Sequence, residues 1–251
     1  MLRKYSNSRS YADNLRLGTL TAFSAGMVNV ASLILFFSFS SNVTGHYAIL
    51  AEELSNGRWF QVVVVFFWIF LFLFGSFFSN IIVIHSRNQN QYVTHVIPLC
   101  IEIICLLTVG IYGAEMYEET LIETEFMVAI LLFAMGVQNG LTASISNFSV
   151  KTTHLTGLTT DLGIHLSMMT RAKYRKDMAV IRKLRLMLAI AVSYLAGGLF
   201  SGLLTNYFQF KVFFLICMII SIVLLYDFVK IFSTSRKKQP RIAEKGLTSG
   251  A

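Results

Sequence analysis

The chain has 251 residues, of which 55% are hydrophobic and only 14% are charged, and its formal net charge is +8. Apolar runs long enough to cross a bilayer recur along the chain, which excludes an ordinary soluble domain. The excess of Lys and Arg lies in segments that flank these runs, as in proteins oriented in a membrane, so it does not indicate a nucleic-acid partner. The sequence therefore predicts an integral membrane protein that contacts membrane lipids.

Six hydrophobic spans predict the fold class, an all-α integral membrane protein with six transmembrane helices in a single membrane domain, 1–251. The spans cover residues 17–37, 60–84, 96–114, 126–148, 186–205 and 211–232. Backbone polar groups within lipid must be paired inside their own segment, which favours helices. The alternation of polar and apolar residues that barrel strands need is missing from Val62–Phe74.

The basic residues predict the orientation of these spans. Of the 21 Lys and Arg residues, all but Arg58 and Lys211 fall on one side of the predicted membrane. The connection between the third and fourth spans is acidic instead, with five Glu residues from Glu115 to Glu125. By the positive-inside rule, both termini are cytoplasmic, and residues 233–251 form a cytoplasmic basic tail.

A glycine-marked apolar segment followed by a polar Thr-Gly turn occurs twice in the chain. The copies are Ala25–Asn29 with Asn42–Gly45, and Met135–Asn139 with His154–Gly163. Asn29 and Asn139 are 110 residues apart, and the two Thr-Gly dipeptides are 112 apart. This spacing predicts a first three-helix repeat over 15–114 and a second over 126–232. Chance similarity between glycine-rich membrane segments is the alternative.

The two predicted repeats must be inverted, because a unit of three helices enters the membrane from opposite sides in its two copies. The first Thr-Gly turn is then expected near the outer face and the second near the inner face, each in an interrupted or re-entrant segment. Inverted repeats with interrupted helices at corresponding positions recur in secondary transporters.

The motifs of both copies resemble those of the YoaK family. The resemblance lies in N-V-T-G at Asn42–Gly45, G-V-Q-N-G at Gly136–Gly140 and T-T-H-L-T-G-L-T-T-D-L-G at Thr152–Gly163. It covers the chain from about Leu15 to about Phe232 and implies a multi-pass protein of the bacterial inner (plasma) membrane, with six spans. The family often has Asn after the first Thr-Gly, where this chain has His46. The resemblance implies no reaction, because the biochemical role of the family is unknown.

The predicted substrate-binding residues are polar and glycine positions of the two copies. They are Asn29, Thr44, Gly45, Gln138, Asn139, Thr156, Gly157 and Asp161. Polar groups within a membrane are costly to keep, and contact with a solute is one reason to keep them. The alternative is packing, in which small residues let helices approach closely and amides hydrogen-bond between them.

Four ionisable residues are predicted to handle protons: Glu102, His154, Asp161 and His165. Glu102 is the one acid well inside a span, so it should face the interior of the bundle. If the segment 154–169 is helical, the other three residues share one face. Their spacing matches no standard metal motif, and neither a metal site nor a cofactor is predicted. A structural hydrogen bond for Glu102, and a polar face on an interfacial helix for the others, are the alternatives.

These features favour a secondary transporter or permease for a small solute, with proton coupling as one hypothesis. The sequence does not identify the solute. A non-transporting scaffold or sensor, which binds a partner membrane protein through its small-residue faces, is the alternative from a different class. An enzyme is not predicted, because no convincing nucleophile or metal-ligand set occurs. The small size of the chain suggests a homodimer with twelve spans, by analogy with larger transporters.

Overall fold

The computed structural model describes residues 10–85, 91–222 and 224–225, and this part of the chain contains helices and no β-strand. Its α-helices are α1 (Tyr11–Phe36), α2 (Val43–Ser55), α3 (Trp59–His85), α4 (Gln91–Glu115), α5 (Leu121–Ile145), α6 (Leu155–Met168), α7 (Ala172–Arg175) and α8 (Met178–Phe208). A 3-10 turn follows at Gln209–Lys211, and residues 212–222, here α9, are helical again. The predicted basic tail, 233–251, lies outside the described residues.

Side-chain caps fix where three of the long helices begin. At the start of α1, the Ser10 side chain accepts a hydrogen bond from the Asp13 amide while the Asp13 carboxylate accepts from the Ser10 amide. Thr120 and Glu123 form the same reciprocal arrangement at the start of α5. Asp177 caps α8 by accepting from the Ala179 amide. Each cap satisfies backbone N–H groups that the first helical turn leaves unpaired.

Five helical segments of the described chain are long and apolar enough to cross a membrane. They are Tyr11–Phe36, Trp59–His85, Val93–Glu115, Leu121–Ile145 and Met178–Ile222. The prediction of an all-α, multi-pass membrane protein is confirmed at this level. The last segment, at 45 residues, contains both α8 and α9. Between them, Gln209 has φ 45° and ψ −127°, which is not a helical conformation.

The helices α1 and α8 pack closely and run in the same direction. A Cβ atom on Gly26 would collide with the Tyr194 carbonyl oxygen, and one on Gly197 would collide with the Phe23 carbonyl oxygen. The Ser201 hydroxyl donates a hydrogen bond of 2.9 Å to the Met27 carbonyl. Gly18 lies against Ile190 at one end of the pair and Val30 lies against Gly202 at the other, so residue numbers rise together and the helices are parallel. Glycine is required here because backbone lies against backbone.

The helices α3 and α5 form a second parallel pair of the same kind. A Cβ atom on Gly75 would collide with the Phe133 carbonyl oxygen, and one on Gly136 would collide with the Phe72 carbonyl oxygen. At one end of this pair, the Trp68 indole donates a hydrogen bond of 3.1 Å to the Glu125 carbonyl. At the other end, the Ser144 hydroxyl donates one of 2.7 Å to Asn80 Oδ1.

The chain reverses direction at the turn between α8 and α9. The rings of Phe36, Tyr117 and Phe210 pack together, which brings the ends of α1, α4 and α8 to one place. Beyond this cluster, Cys217 lies 3.7 Å from the Ile103 carbonyl of α4. Since residue numbers rise along α9 as they fall along α4, α9 runs antiparallel to α4 and away from the end of α8.

The core lies along α1 and α5. In the most apolar 18-residue stretch of each helix, 61% of the stretch is buried in α1 and 67% in α5, against 28% in α3. On its outer side, α3 exposes large aromatic residues such as Phe66, Phe70 and Phe77. An exposed aromatic face of this kind suits contact with lipid and would be costly in water.

Candidate solute-binding cavity

The first Thr-Gly segment begins only after the chain has folded back along α1. The Ser32 hydroxyl donates a hydrogen bond of 2.8 Å to the Ser38 carbonyl. The Ser41 hydroxyl donates one of 3.0 Å to Asn29 Oδ1. The chain thus returns by about 10 Å from the end of α1 to the level of Asn29, and α2 begins there, inside the fold.

The second Thr-Gly segment begins in the same manner. After α5, the Val150 amide donates a hydrogen bond of 2.9 Å to the Ser146 hydroxyl. The Thr152 hydroxyl then donates one of 3.4 Å to Gln138 Oε1, so the chain has returned to the level of Gln138 when α6 begins. At 13 and 14 residues, α2 and α6 are each about 20 Å long, too short to cross a hydrocarbon core of about 30 Å.

The glycine of each Thr-Gly dipeptide makes room for the side chain that precedes its helix. Asn42 Oδ1 accepts a hydrogen bond of 3.2 Å from the Gly45 amide, and a Cβ atom on Gly45 would lie 2.7 Å from Asn42 Nδ2. The His154 imidazole covers Gly157 in the equivalent place, where a Cβ atom would collide with the ring. Asn-x-x-Gly and His-x-x-Gly are therefore local folding signals, and both glycines have a structural role.

The two Thr-Gly segments meet at one cavity of about 650 Å³, next to the second halves of α3 and α5. Thr44, Thr156 and Asn139 all line it. The prediction that the two turns lie near opposite membrane faces is therefore wrong. Because the chain folds back before each short helix, the starts of α2 and α6 lie together, and only their far ends diverge.

Polar groups on the wall of this cavity have free hydrogen-bonding capacity. Asn80 accepts from Ser144 through Oδ1, which leaves its NH₂ group as a donor. Asn139 Oδ1 is buried and has no hydrogen-bond partner. Lys151 also lines the cavity, and no described carboxylate lies within ion-pairing distance of its ammonium group. The cavity thus combines a cation with unpaired amide groups.

A second cavity of about 600 Å³ lies where α1 and α8 begin. It is lined by Asp161, Arg182 and Lys183, among others. Three residues line both cavities: Phe148, Lys151 and His154. This shared wall separates the first cavity from the basic end of the molecule.

Beside the first cavity, a hydrogen-bonded network holds the one buried acid of α4. Gln138 Nε2 donates to Glu102 Oε1 at 2.9 Å and to the Ser24 hydroxyl at 2.8 Å. Thr152 donates to the other side of the Gln138 amide. Glu102, Gln138 and Thr152 are each 0% exposed, and Glu102 Oε2 has no partner. The network joins α1, α4 and α5 to the segment that leads into α6.

Residues 17–226 match the family DUF1275, a protein family of unknown function. The chain belongs to the DUF1275 family. The YoaK family, which the sequence motifs resemble, carries this same domain. No curated protein and no solved structure shows significant similarity to the chain. The comparisons therefore establish the family of this DUF1275 protein but not its activity.

The other residues predicted for the site of this DUF1275 protein lie apart from the first cavity. Asn29 is buried and accepts hydrogen bonds from Ser40 and Ser41. Asp161 lines only the second cavity, whereas His154 lines both. His165 is buried and pairs through Nδ1 with the Asp161 backbone carbonyl at 2.8 Å. Among the described residues, no group of three His, Cys, Asp or Glu could hold a metal ion.

His46, where the YoaK motif often has Asn, contacts neither cavity. Its Nε2 lies 2.9 Å from the Phe39 carbonyl, and its ring packs edge-on against Trp68 with centroids 5.3 Å apart. Burial lowers the pKa of this imidazole, and the hydrogen bond to Phe39 opposes the shift. His46 therefore joins α2 to α3 through a buried contact with an aromatic ring.

Sequence reasoning missed several residues that complete the site, above all Asn80, Lys151 and Thr152. Asn80 follows Gly75–Ser79 in α3, but nothing in the sequence pattern shows that it faces Ser144. Lys151 and Thr152 come into place only because the chain folds back after α5. The excess of polar residues between the end of α5 and His154 was the available signal.

Proposed function

We propose that this DUF1275 protein is a secondary transporter or permease for a small solute, built from six spans as two inverted repeats. The observation that carries the proposal is the cavity at which α2 and α6 both begin. Short helices that begin at the middle of a membrane, in corresponding places of two inverted halves, form the substrate sites of many transporters. The cavity volume falls within the range of small-molecule sites.

The reversal of the chain at Gln209 supports six spans. In this proposal α8 and α9 are separate crossings, because α8 runs parallel to α1 while α9 returns along α4. The 31 residues of α8 are alone sufficient to cross a hydrocarbon core of about 30 Å.

The glycine contacts support two repeats, because a glycine of each half lies against a backbone carbonyl of the other half in the same way. Gly26 lies against the Tyr194 carbonyl, and Gly136 lies against the Phe72 carbonyl. The two glycines are 110 residues apart, whereas Phe72 and Tyr194 are 122 apart. The offset of 110 is that of Asn29 and Asn139, and the offset of 122 also separates the similar segments Gly75–Ser79 and Gly197–Ser201.

The reciprocal contacts obey the same offsets. Gly197 lies against the Phe23 carbonyl, and Gly75 lies against the Phe133 carbonyl. Gly75 and Gly197 are 122 residues apart, and Phe23 and Phe133 are 110 apart. Four glycines in matching contacts are hard to attribute to chance. Since α1 ends beside the start of α5, the two halves run in opposite directions.

The charges at the two ends support a cytoplasmic location for both termini. The end at which α2 finishes carries Glu52 and Glu53 with Arg58 as their ion-pair partner. The opposite end, where α1 and α8 begin, carries Arg182 and Lys183 on the second cavity. By the positive-inside rule the latter is the cytoplasmic end of a bacterial inner-membrane protein.

In this orientation the second cavity is the cytoplasmic vestibule of the first. Phe148, Lys151 and His154 then form the gate, because they line both spaces. Asn147 and Phe148 have φ values of 52° and 58°. Non-glycine residues rarely adopt the left-handed region, and such conformations concentrate at functional sites. Rearrangement of this turn would open the wall and connect the cavity with the cytoplasm.

The Glu102 network offers a route for proton coupling. Gln138 links Glu102 to Thr152, and Thr152 lies two residues before His154 at the gate. A proton gained or lost at Glu102 changes the charge on the acceptor of the Gln138 hydrogen bond and therefore its strength, and this alters how firmly the segment before His154 is held. Coupling in this proposal acts through hydrogen bonds beside the cavity and requires no contact between Glu102 and the solute.

Solute flux in proteoliposomes tests the proposal. We expect uptake of at least one member of a panel of small anionic, neutral and cationic solutes, and its loss in Asn139→Ala with the protein still folded. Lys176→Met, on the exposed cytoplasmic loop, is the control and should retain uptake. Intact protein with no flux of any solute in the panel would contradict transport and favour the scaffold or sensor.

A further inference from the structure

We infer that the first cavity takes a small organic anion that carries a carboxylate and a hydrogen-bond donor. This inference rests on the proposed function, in which the cavity is the solute site. The first observation is charge: Lys151 contributes an ammonium group, and none of the residues that line the cavity is Asp or Glu. The Lys151 Nζ atom lies 6.0 Å from the centroid of the Phe148 ring, which is uncharged and does not neutralise it.

The neutral groups on the wall are also arranged to donate. Asn42 and Asn80 each accept through Oδ1 from within the protein, from the Gly45 amide and the Ser144 hydroxyl. Both therefore have an NH₂ group left to donate. Carboxylate oxygens are acceptors only, so this set of groups matches an anion and does not match a cation.

The starts of two helices strengthen the same preference. Residues of the first turn of both α2 and α6 line the cavity, among them Thr44 and Thr156. The first N–H groups of a helix have no partner within it and carry a partial positive charge. The residue that precedes α6, His154, makes no side-chain hydrogen bond that caps these groups.

Asn139 supplies an independent observation that points to a ligand. Asn139 lines the cavity, and its buried Oδ1 atom has no partner in the protein. A buried acceptor without a donor is costly, and a hydroxyl or amino group on the solute would satisfy it once the amide turns toward the cavity. The cavity thus has donors for a carboxylate and one acceptor for a neighbouring hydroxyl or amine. At about 650 Å³ it is far larger than a halide ion requires.

Three probes of similar size distinguish the contribution of the carboxylate from that of the hydroxyl group: lactate, propionate and propane-1,2-diol. Binding to the purified full chain is measured at constant ionic strength by the shift in unfolding temperature, which follows ligand affinity. We expect lactate to stabilise the protein most, propionate less, and the diol not at all. Equal shifts with the diol and with lactate, or no shift with any probe, would overturn the inference.

Two variants test the assignment of the residues. Lys151→Met should weaken lactate binding by about tenfold, as expected for loss of a charged hydrogen-bond donor. Lys176→Met removes the same charge from the same end of the molecule, away from the cavity, and should leave binding unchanged. Asn80→Asp retains an acceptor for Ser144 but adds a negative charge, and it should abolish binding. Lactate binding that tolerates both cavity variants would overturn the assignment.

Flux measurements distinguish failure of this inference from failure of the proposed function. Transport of neutral or cationic solutes without anion binding would overturn the anion preference and leave transport intact. Lactate binding that depends on Lys151, without flux of any solute, would support the anion site and contradict the transporter.

Discussion

Gln138 and Glu102 are joined by a hydrogen bond of 2.9 Å from Nε2 to Oε1, in an interior where neither side chain is exposed. The same amide also bonds to Ser24 and Thr152. One side chain thus links two other spans and the segment that leads into α6. Polar groups with several mutual partners can hold a membrane bundle in one arrangement, because none of them has water as an alternative.

Gln138→Leu should therefore destabilise the protein strongly. The change leaves Ser24, Glu102 and Thr152 without their shared partner, and a single unsatisfied buried group costs about 1–3 kcal/mol. We expect a marked fall in the unfolding temperature of the detergent-purified protein. Thr108→Val, which removes one exposed hydroxyl bonded to its own helix, is the control and should change stability little. Equal stability of the two variants would show that the network is not structural.

Glu102→Gln should separate coupling from folding. Glutamine keeps an acceptor for Gln138 but cannot gain or lose a proton, so the network persists and the proton step is lost. We expect the variant to fold and to exchange solute across proteoliposomes, while an imposed pH gradient no longer drives accumulation. The comparison is made with the unmodified protein in matched vesicles. Accumulation that still follows the pH gradient would exclude Glu102 as the coupling residue.

Gly157→Ala should disturb the gate, whereas Gly163→Ala should not. At Gly157 a Cβ atom would collide with the His154 ring, and at Gly163 it would meet nothing within 4 Å. Both glycines lie in α6, so each substitution gains the same helix propensity, worth up to about 1 kcal/mol. We expect slower uptake for Gly157→Ala and an unchanged or more stable Gly163→Ala protein. Uptake that is equal in the two variants would contradict a role for the His154 position.

Gly26→Ala and Gly136→Ala should have similar, large effects if the halves repeat one contact. In both, the new methyl group would collide with a carbonyl oxygen of the partner helix, and overpacking typically costs about 1–3 kcal/mol. Gly202→Ala, where a Cβ atom would lie 3.5 Å from a Val30 side-chain carbon, is the matched control. The measurement is the unfolding temperature of each variant. A large loss in only one half would argue against equivalent packing of the repeats.

The spans could be predicted further than the cavity. Long apolar runs specify helices in lipid regardless of their neighbours, so α1, α3, α4 and α5 lie close to their predicted ranges. The spacing of 110 residues between Asn29 and Asn139 predicted a repeat but not which helices pack together. The sequence did not show that the chain folds back after α1 and α5. That course depends on single hydrogen bonds, such as Ser41 to Asn29, which have no periodic signature.

The most direct test of the central claim is solute uptake after thiol labelling at the two Thr-Gly segments. Thr44→Cys and Thr156→Cys would be made separately in a chain whose Cys100, Cys105 and Cys217 are replaced and whose uptake is retained. Because both positions line one cavity, we predict that a bulky thiol reagent at either position stops uptake. Transported solute should also slow the labelling of both. Unchanged uptake after complete labelling of either position would contradict a shared solute cavity.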